Sequence, residues 1–147
     1  MPCPAATPAP SPVSFDTITF VILTGGDDLR GDSSAVVALN APSGGTFETV
    51  VLKSQSQSDW SNNSTHTVSA GLGTPQPLSA FGSVAMTLTS HNGFFETNDN
   101  WNVQAVNVSL SNSRTGQSAC LANVGGNPFA RLTGDAPTVT IGAGNGC

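Results

Sequence analysis

The chain has 147 residues, of which only 9% are charged, and its formal net charge is −5; an average soluble protein has roughly 25% charged residues. Four basic residues are too few for the cationic footprint of a nucleic-acid binder, and they offer anionic membranes no general attraction unless a bound divalent cation reverses the local sign. The length fits one domain with a real core, and no apolar run approaches the roughly 20 residues of a membrane-spanning helix.

Pro and Ala alternate with Ser and Thr over residues 2–12. That composition predicts an extended, polyproline-type linker or arm over residues 1–14, ahead of a single domain over residues 15–147. Met1 is followed by neither a basic start nor an apolar stretch. The expectation is therefore a chain whose signal has been removed, with a secreted or cell-surface location.

Strand signals then dominate. Residues 18–23 are β-branched and aromatic and stop at Gly25 and Gly26. Residues 35–39 end in a turn cluster at 40–45, and residues 46–52 return with partial alternation. Residues 65–68 form a weaker strand after a polar loop, and residues 83–89 alternate with period two. Residues 101–110 alternate around a bulge, and residues 118–124 and 138–141 complete the set. No segment sustains a helical period, and Lys, Glu and Arg, which favour helices, are scarce. The pattern predicts an all-β fold, an antiparallel β-sandwich of about eight strands.

Two acidic stretches hold five of the nine carboxylates: Asp27, Asp28 and Asp32 after the first strand, and Glu96 and Asp99 before residue 101. Carboxylates this close repel one another unless a cation intervenes, and Arg30 supplies one neutralising contact, not three. Asp, Asn and backbone oxygens on Gly-rich loops suit Ca²⁺, which takes about six to eight oxygen ligands. The proposed ligand set is Asp27, Asp28, Asp32, Asn98, Asp99 and Asn100. It requires the two loops to meet. The alternative is a pair of ordinary Asx-rich turns. The spacing is not that of an EF-hand.

The strand of residues 18–24 with Gly25, followed by Gly31, Asp32, Ser33, Ser34, Ala35 and Val36, resembles the opening of a PLAT domain, the lipoxygenase-type lipid-associated sandwich. The turn Ser90, His91, Asn92, Gly93 is similar to the family's His-Asp-Asn turn, and Trp101 followed by Val106 and Val108 is similar to its Trp and Val-x-Val signature. The similarity covers residues 15–110. It departs at Asp32, which stands one place off the usual segment, at Asn92, and in the 96–100 insertion. The resemblance implies an eight-stranded sandwich, often with calcium in its loops, that docks to membrane or protein at that edge. Exposed apolar tips for such docking are limited to Trp60 and to Phe94 with Phe95.

Three cysteines, Cys3, Cys120 and Cys147, leave an odd thiol. Cys120–Cys147 and Cys3–Cys147 are equal candidates for a disulfide, ahead of Cys3–Cys120, and a buried free thiol at Cys120 is a further option. Catalytic signals are weak. Ser33, in Gly-Asp-Ser, would need a base, and neither His66 nor His91 sits in a catalytic context. Glu96 and Asp99 share one polar loop, which favours metal or solvent over glycosidase chemistry. No Cys/His spacing suits zinc. Asn62 and Asn107 begin glycosylation sequons, and the tripeptide Arg30, Gly31, Asp32 is too short to carry an adhesion assignment.

The chain thus reads as a secreted, non-catalytic, calcium-binding module for extracellular binding or adhesion. Its partner would be a glycan, a lipid headgroup or a protein, met through Trp60, Asn62 and Phe94, with Trp60 and the Asn-rich loop favouring glycan. The alternative is a self-assembling homo-oligomer or filament subunit that adds strands to a neighbour's sheet edge.

Overall fold

The computed structural model describes residues 1–8, 11–91 and 97–147. Eight strands occur in chain order: β1 (Ser14–Thr24), β2 (Ser34–Asn40), β3 (Thr46–Lys53), β4 (Thr65–Pro77), β5 (Ser83–Thr89), β6 (Trp101–Ser111), β7 (Ser118–Leu132) and β8 (Thr138–Gly142). They form two four-stranded antiparallel sheets, ordered β4-β1-β6-β7 and β3-β2-β5-β8. The fold is the eight-stranded β-sandwich that the alternation predicts.

The core follows from that alternation. Ile18, Phe20 and Ile22 of β1 point inward, as do Val37 and Leu39 of β2 and Val84, Met86 and Leu88 of β5. In β6 the buried set is Trp101 and Val103, then Val106, Val108 and Leu110. The parity changes between Val103 and Val106 because both neighbours shift register there, pairing Val103 and Ala105 but skipping Gln104. One extra residue in one strand is a β-bulge, and it keeps both ends of β6 facing the core.

β4 and β7 run well past the expected residues 65–68 and 118–124, to Pro77 and Leu132. Each lies at a sheet edge and pairs on one side only, so Pro75, Pro77 and Pro128 do not break a ladder. This tolerance hid the extensions, since Gly and Pro there read as turns. β1 begins at Ser14, which pairs with Pro77. Upstream of it, the described residues 1–8 are exposed.

The disulfide joins Cys120 to Cys147, with Cα atoms 5.7 Å apart, while Cys3 is a free, exposed thiol. Cys120 stands on the exposed side of β7, so the buried-thiol option fails. The C-terminal tail lies along that strand, with Asn123 N donating to Asn145 O and Gly144 N to Leu121 O, at 2.8 and 2.7 Å. The bond therefore ties β7 of one sheet to the segment that follows β8 of the other. Replacing Cys120 and Cys147 together by serine should lower unfolding free energy by about 3.5 kcal/mol, the loop-closure value for a separation of 27 residues. Urea midpoints should show this loss, and Cys3→Ser should show none.

Candidate functional site at the acidic loop edge

Consecutive strands run in opposite directions, so the connections leaving β1, β3, β5 and β7 all emerge at the same end. Residues 25–33, 54–64, 90–91, 97–100 and 133–137 therefore share one edge. The two acidic stretches meet there.

Asp99 is the hinge of that meeting. Its carboxylate is 2% exposed and accepts from the Arg30 backbone N–H at 3.0 Å, while Arg30 Nε lies 3.4 Å from the other oxygen. Arg30 also donates to the Thr97 carbonyl at 3.1 Å. On the other side, Arg131 at the end of β7 reaches Asp27 at 3.0 Å and Asn102 Oδ1 at 3.0 Å. Main-chain bonds complete the join: Asn102 N donates to Asp27 O, and Gly25 N to Asn102 O. Gly25 is needed here because a Cβ would stand 3.2 Å from that of Asn102 and 3.1 Å from Gln104 Oε1.

Beneath these loops lies the chain's only lysine. Lys53 ends β3 with its side chain fully buried, and its ammonium donates to the carbonyls of Gly31 at 2.9 Å, Ser33 at 2.8 Å and Ser54 at 3.4 Å. Burial lowers its pKa from the ordinary lysine value, while Asp99, Asp32 and Asp59 pull the other way. Ser33 Oγ is buried with no hydrogen-bond partner among the described residues.

Of the residues expected to hold calcium, Asp27 is taken by Arg131 and Asp99 by Arg30. Asp32 is exposed, Asp28 and Asn100 are half-buried, and Asn98 lies with its side chain where a Cβ on Gly134 would go. Glu96 and Phe94 lie outside the described residues. Among the described residues no group of three or more His, Cys, Asp or Glu converges as a metal site would require. Among the described residues, the carboxylates that do converge already pair with basic groups of the chain itself, Asp27 with Arg131 and Asp99 with Arg30.

Trp60, expected as an exposed docking residue, is instead 6% exposed. Its backbone forms a two-way bridge with Leu29, its ring stacks on His66 at a centroid distance of 4.2 Å, and it meets Trp101 edge-on at 5.8 Å. The polar neighbours of Trp60 concealed this, because the loop reads as solvated until Leu29 is placed against it. His66 Nε2 shares a 2.8 Å hydrogen bond with Ser64, and burial lowers the imidazole pKa. Trp101 is fully buried and donates to Thr24 at 3.2 Å. Asn62 remains exposed in the turn after Trp60. Lys53 and Arg131 escaped the sequence reading; the signal was that three of the four basic residues adjoin loops at this one end.

No protein-family model matches the chain, and no curated protein matches it. Among solved structures it is similar to the alpha-toxin of an avian strain of Clostridium perfringens, at 14% identity and a TM-score of 0.66, over 92% of this chain and 34% of the toxin. The alpha-toxin of Clostridium absonum matches at 14% identity and a TM-score of 0.65, over 90% of this chain and 33% of that one. A calcium-dependent 11R-lipoxygenase matches at 15% identity and a TM-score of 0.52, over 88% of this chain and 17% of the enzyme. The chain thus spans about a third or less of these proteins. At such identities the likeness establishes the fold, which is PLAT-type as the sequence resemblance implied.

Asp99→Ala should cost about 2 kcal/mol, because it leaves the Arg30 N–H and guanidinium short of their acceptor and removes a charge that balances Lys53. Asp32→Ala at an exposed position should stay within about 0.5 kcal/mol. Chemical denaturation of both variants would check this, and equal losses would contradict the arrangement. His66 has the depressed folded pKa, so its contribution is present above the ordinary value of 6.5 and is lost as pH falls below it. Between pH 7.5 and 5.5 the wild type should lose more stability than His66→Phe.

Proposed function

We propose that the chain is a non-catalytic, extracellular docking module whose loop edge contacts a lipid surface. The observation that carries this is the fold itself. Nearly the whole chain matches a minor part of larger proteins, two toxins and a lipoxygenase, as an accessory domain would. The PLAT-type resemblance of the motifs in residues 15–110 adds a docking role at the loop edge.

The burial of Trp60 favours lipid over glycan, because the ring offered for sugar stacking is used inside the edge. The Arg30 and Arg131 side chains remain 41% and 49% exposed, and a guanidinium is the group suited to headgroup phosphate. The non-catalytic assignment rests on Ser33 and His66. The serine hydroxyl is buried without a base beside it, and the histidine is hydrogen-bonded to Ser64 and stacked on Trp60. The Cys120–Cys147 disulfide suits an oxidising, extracellular compartment. Among the described residues no helix is long and apolar enough to cross a membrane.

The calcium expected from the loop composition has its support in the calcium-dependent lipoxygenase that shares the fold. In this chain Asp99 and Asp27 already pair with Arg30 and Arg131, and the carbonyls of Gly31 and Ser33 accept from Lys53. Co-sedimentation with phosphatidylcholine vesicles, with and without phosphatidylserine, tests the docking. The protein should pellet with vesicles, and the double variant Arg30→Ala, Arg131→Ala should pellet less while remaining folded by circular dichroism. No pelleting with either vesicle, in EDTA or in CaCl₂, would sink the lipid assignment.

A further inference from the structure

The loops of this edge carry more negative than positive side chains, yet the most enclosed cation is a lysine. We propose that the Lys53 ammonium is the resident cation of the acidic edge, holding the 25–33 and 54–64 segments together in place of a divalent metal, so that the edge is ordered and docks without calcium.

Three observations carry this. Lys53 is fully buried although lysine is among the residue types least often enclosed, and it is enclosed only where it is paired. Its three N–H donors meet three carbonyl oxygens, two from the β1–β2 connection and one from the residue after β3. Convergent backbone oxygens of this kind are what a hard cation takes as ligands. Finally, Asp99, Asp32 and Asp59, from three different connections, act on the same charge.

Arg30 completes the substitution by filling Asp99 from the outer side, through both its backbone N–H and its guanidinium. With Arg131 on Asp27, a second carboxylate of this edge is paired with a fixed positive group of the chain. A divalent ion entering here would have to displace a tethered ammonium from its carbonyls. Because Lys53 is attached to β3, its effective concentration at those carbonyls never falls, whereas a metal site empties when the free ion is diluted.

The test is thermal unfolding of the whole chain in EDTA and in millimolar CaCl₂, with MgCl₂ as control, for wild type, Lys53→Met and Lys53→Gln. The wild type should melt at the same temperature in all three, since an ion that does not bind the native state shifts nothing. Lys53→Met, which keeps the stem and removes the charge, should melt about 10 °C lower. Lys53→Gln, which keeps two N–H donors, should fall between them. A calcium-selective rise in the wild-type melting temperature overturns the proposal, as does a Lys53→Met variant as stable as wild type. Should Lys53→Met not fold, the wild-type and Lys53→Gln melts still decide it. The readout needs no partner, so a failure of vesicle binding leaves it standing. Vesicle binding that appears only in CaCl₂ would overturn it even if lipid docking is correct.

Discussion

A buried ammonium group is tolerable only if its donors are all satisfied and its charge is balanced nearby, and the loop edge of this sandwich is built around that requirement. Lys53 leaves the end of β3 into the space beneath the β1–β2 connection, and the carbonyls of Gly31, Ser33 and Ser54 turn toward it. Those carbonyls constrain the backbone of residues 30–34, which in turn places the Arg30 N–H against Asp99. The path of the first acidic loop, the approach of the second and the seating of Trp60 against Leu29 then follow as one arrangement. The low total charge of the chain belongs to the same picture. With four basic residues in all, three serve this edge, and little cationic surface is left elsewhere.

The strands were legible because both sheets bury one face each, which forces a period of two on the sequence. Even the bulge in β6 showed, as the change of parity between Val103 and Val106. Edge strands were read short, since a strand paired on one side can absorb Gly and Pro that would break a central one. The site was half legible. Clustering of carboxylates marked two loops that do meet, and their convergence follows from strand parity alone. What balances them was not visible. A lysine after Val51 and Leu52 looks like an ordinary polar strand end, and its burial depends on a main-chain path that no local pattern specifies. Trp60 failed for the mirror reason: polar neighbours in sequence became apolar neighbours, Leu29 and Trp101, in space.

The two ends of the sandwich are secured by different means. At the end opposite the acidic loops, the Cys120–Cys147 bond and the tail along β7 link the sheets covalently and by backbone hydrogen bonds. At the loop end charged groups add to the main-chain bonds: Lys53 within, Arg30 and Arg131 toward the surface. Covalent closure is insensitive to what approaches it, whereas ion pairs respond to the surrounding dielectric.

That difference matters for docking. Arg30 and Arg131 hold their carboxylates while remaining 41% and 49% exposed, so in the free protein water screens both pairs and each is weak. A surface that excludes water from the edge strengthens the attraction within each pair, but it also removes hydration from any guanidinium N–H left without an acceptor. The balance favours a partner that supplies such acceptors itself. A phosphate-bearing surface does so, whereas a purely apolar one leaves the guanidinium groups desolvated and incompletely paired. Lys53 has no part in that exchange, because its donors are already spent on carbonyls inside the loop. Order at this edge thus comes from the buried lysine, and selectivity among surfaces falls to the two half-exposed arginines.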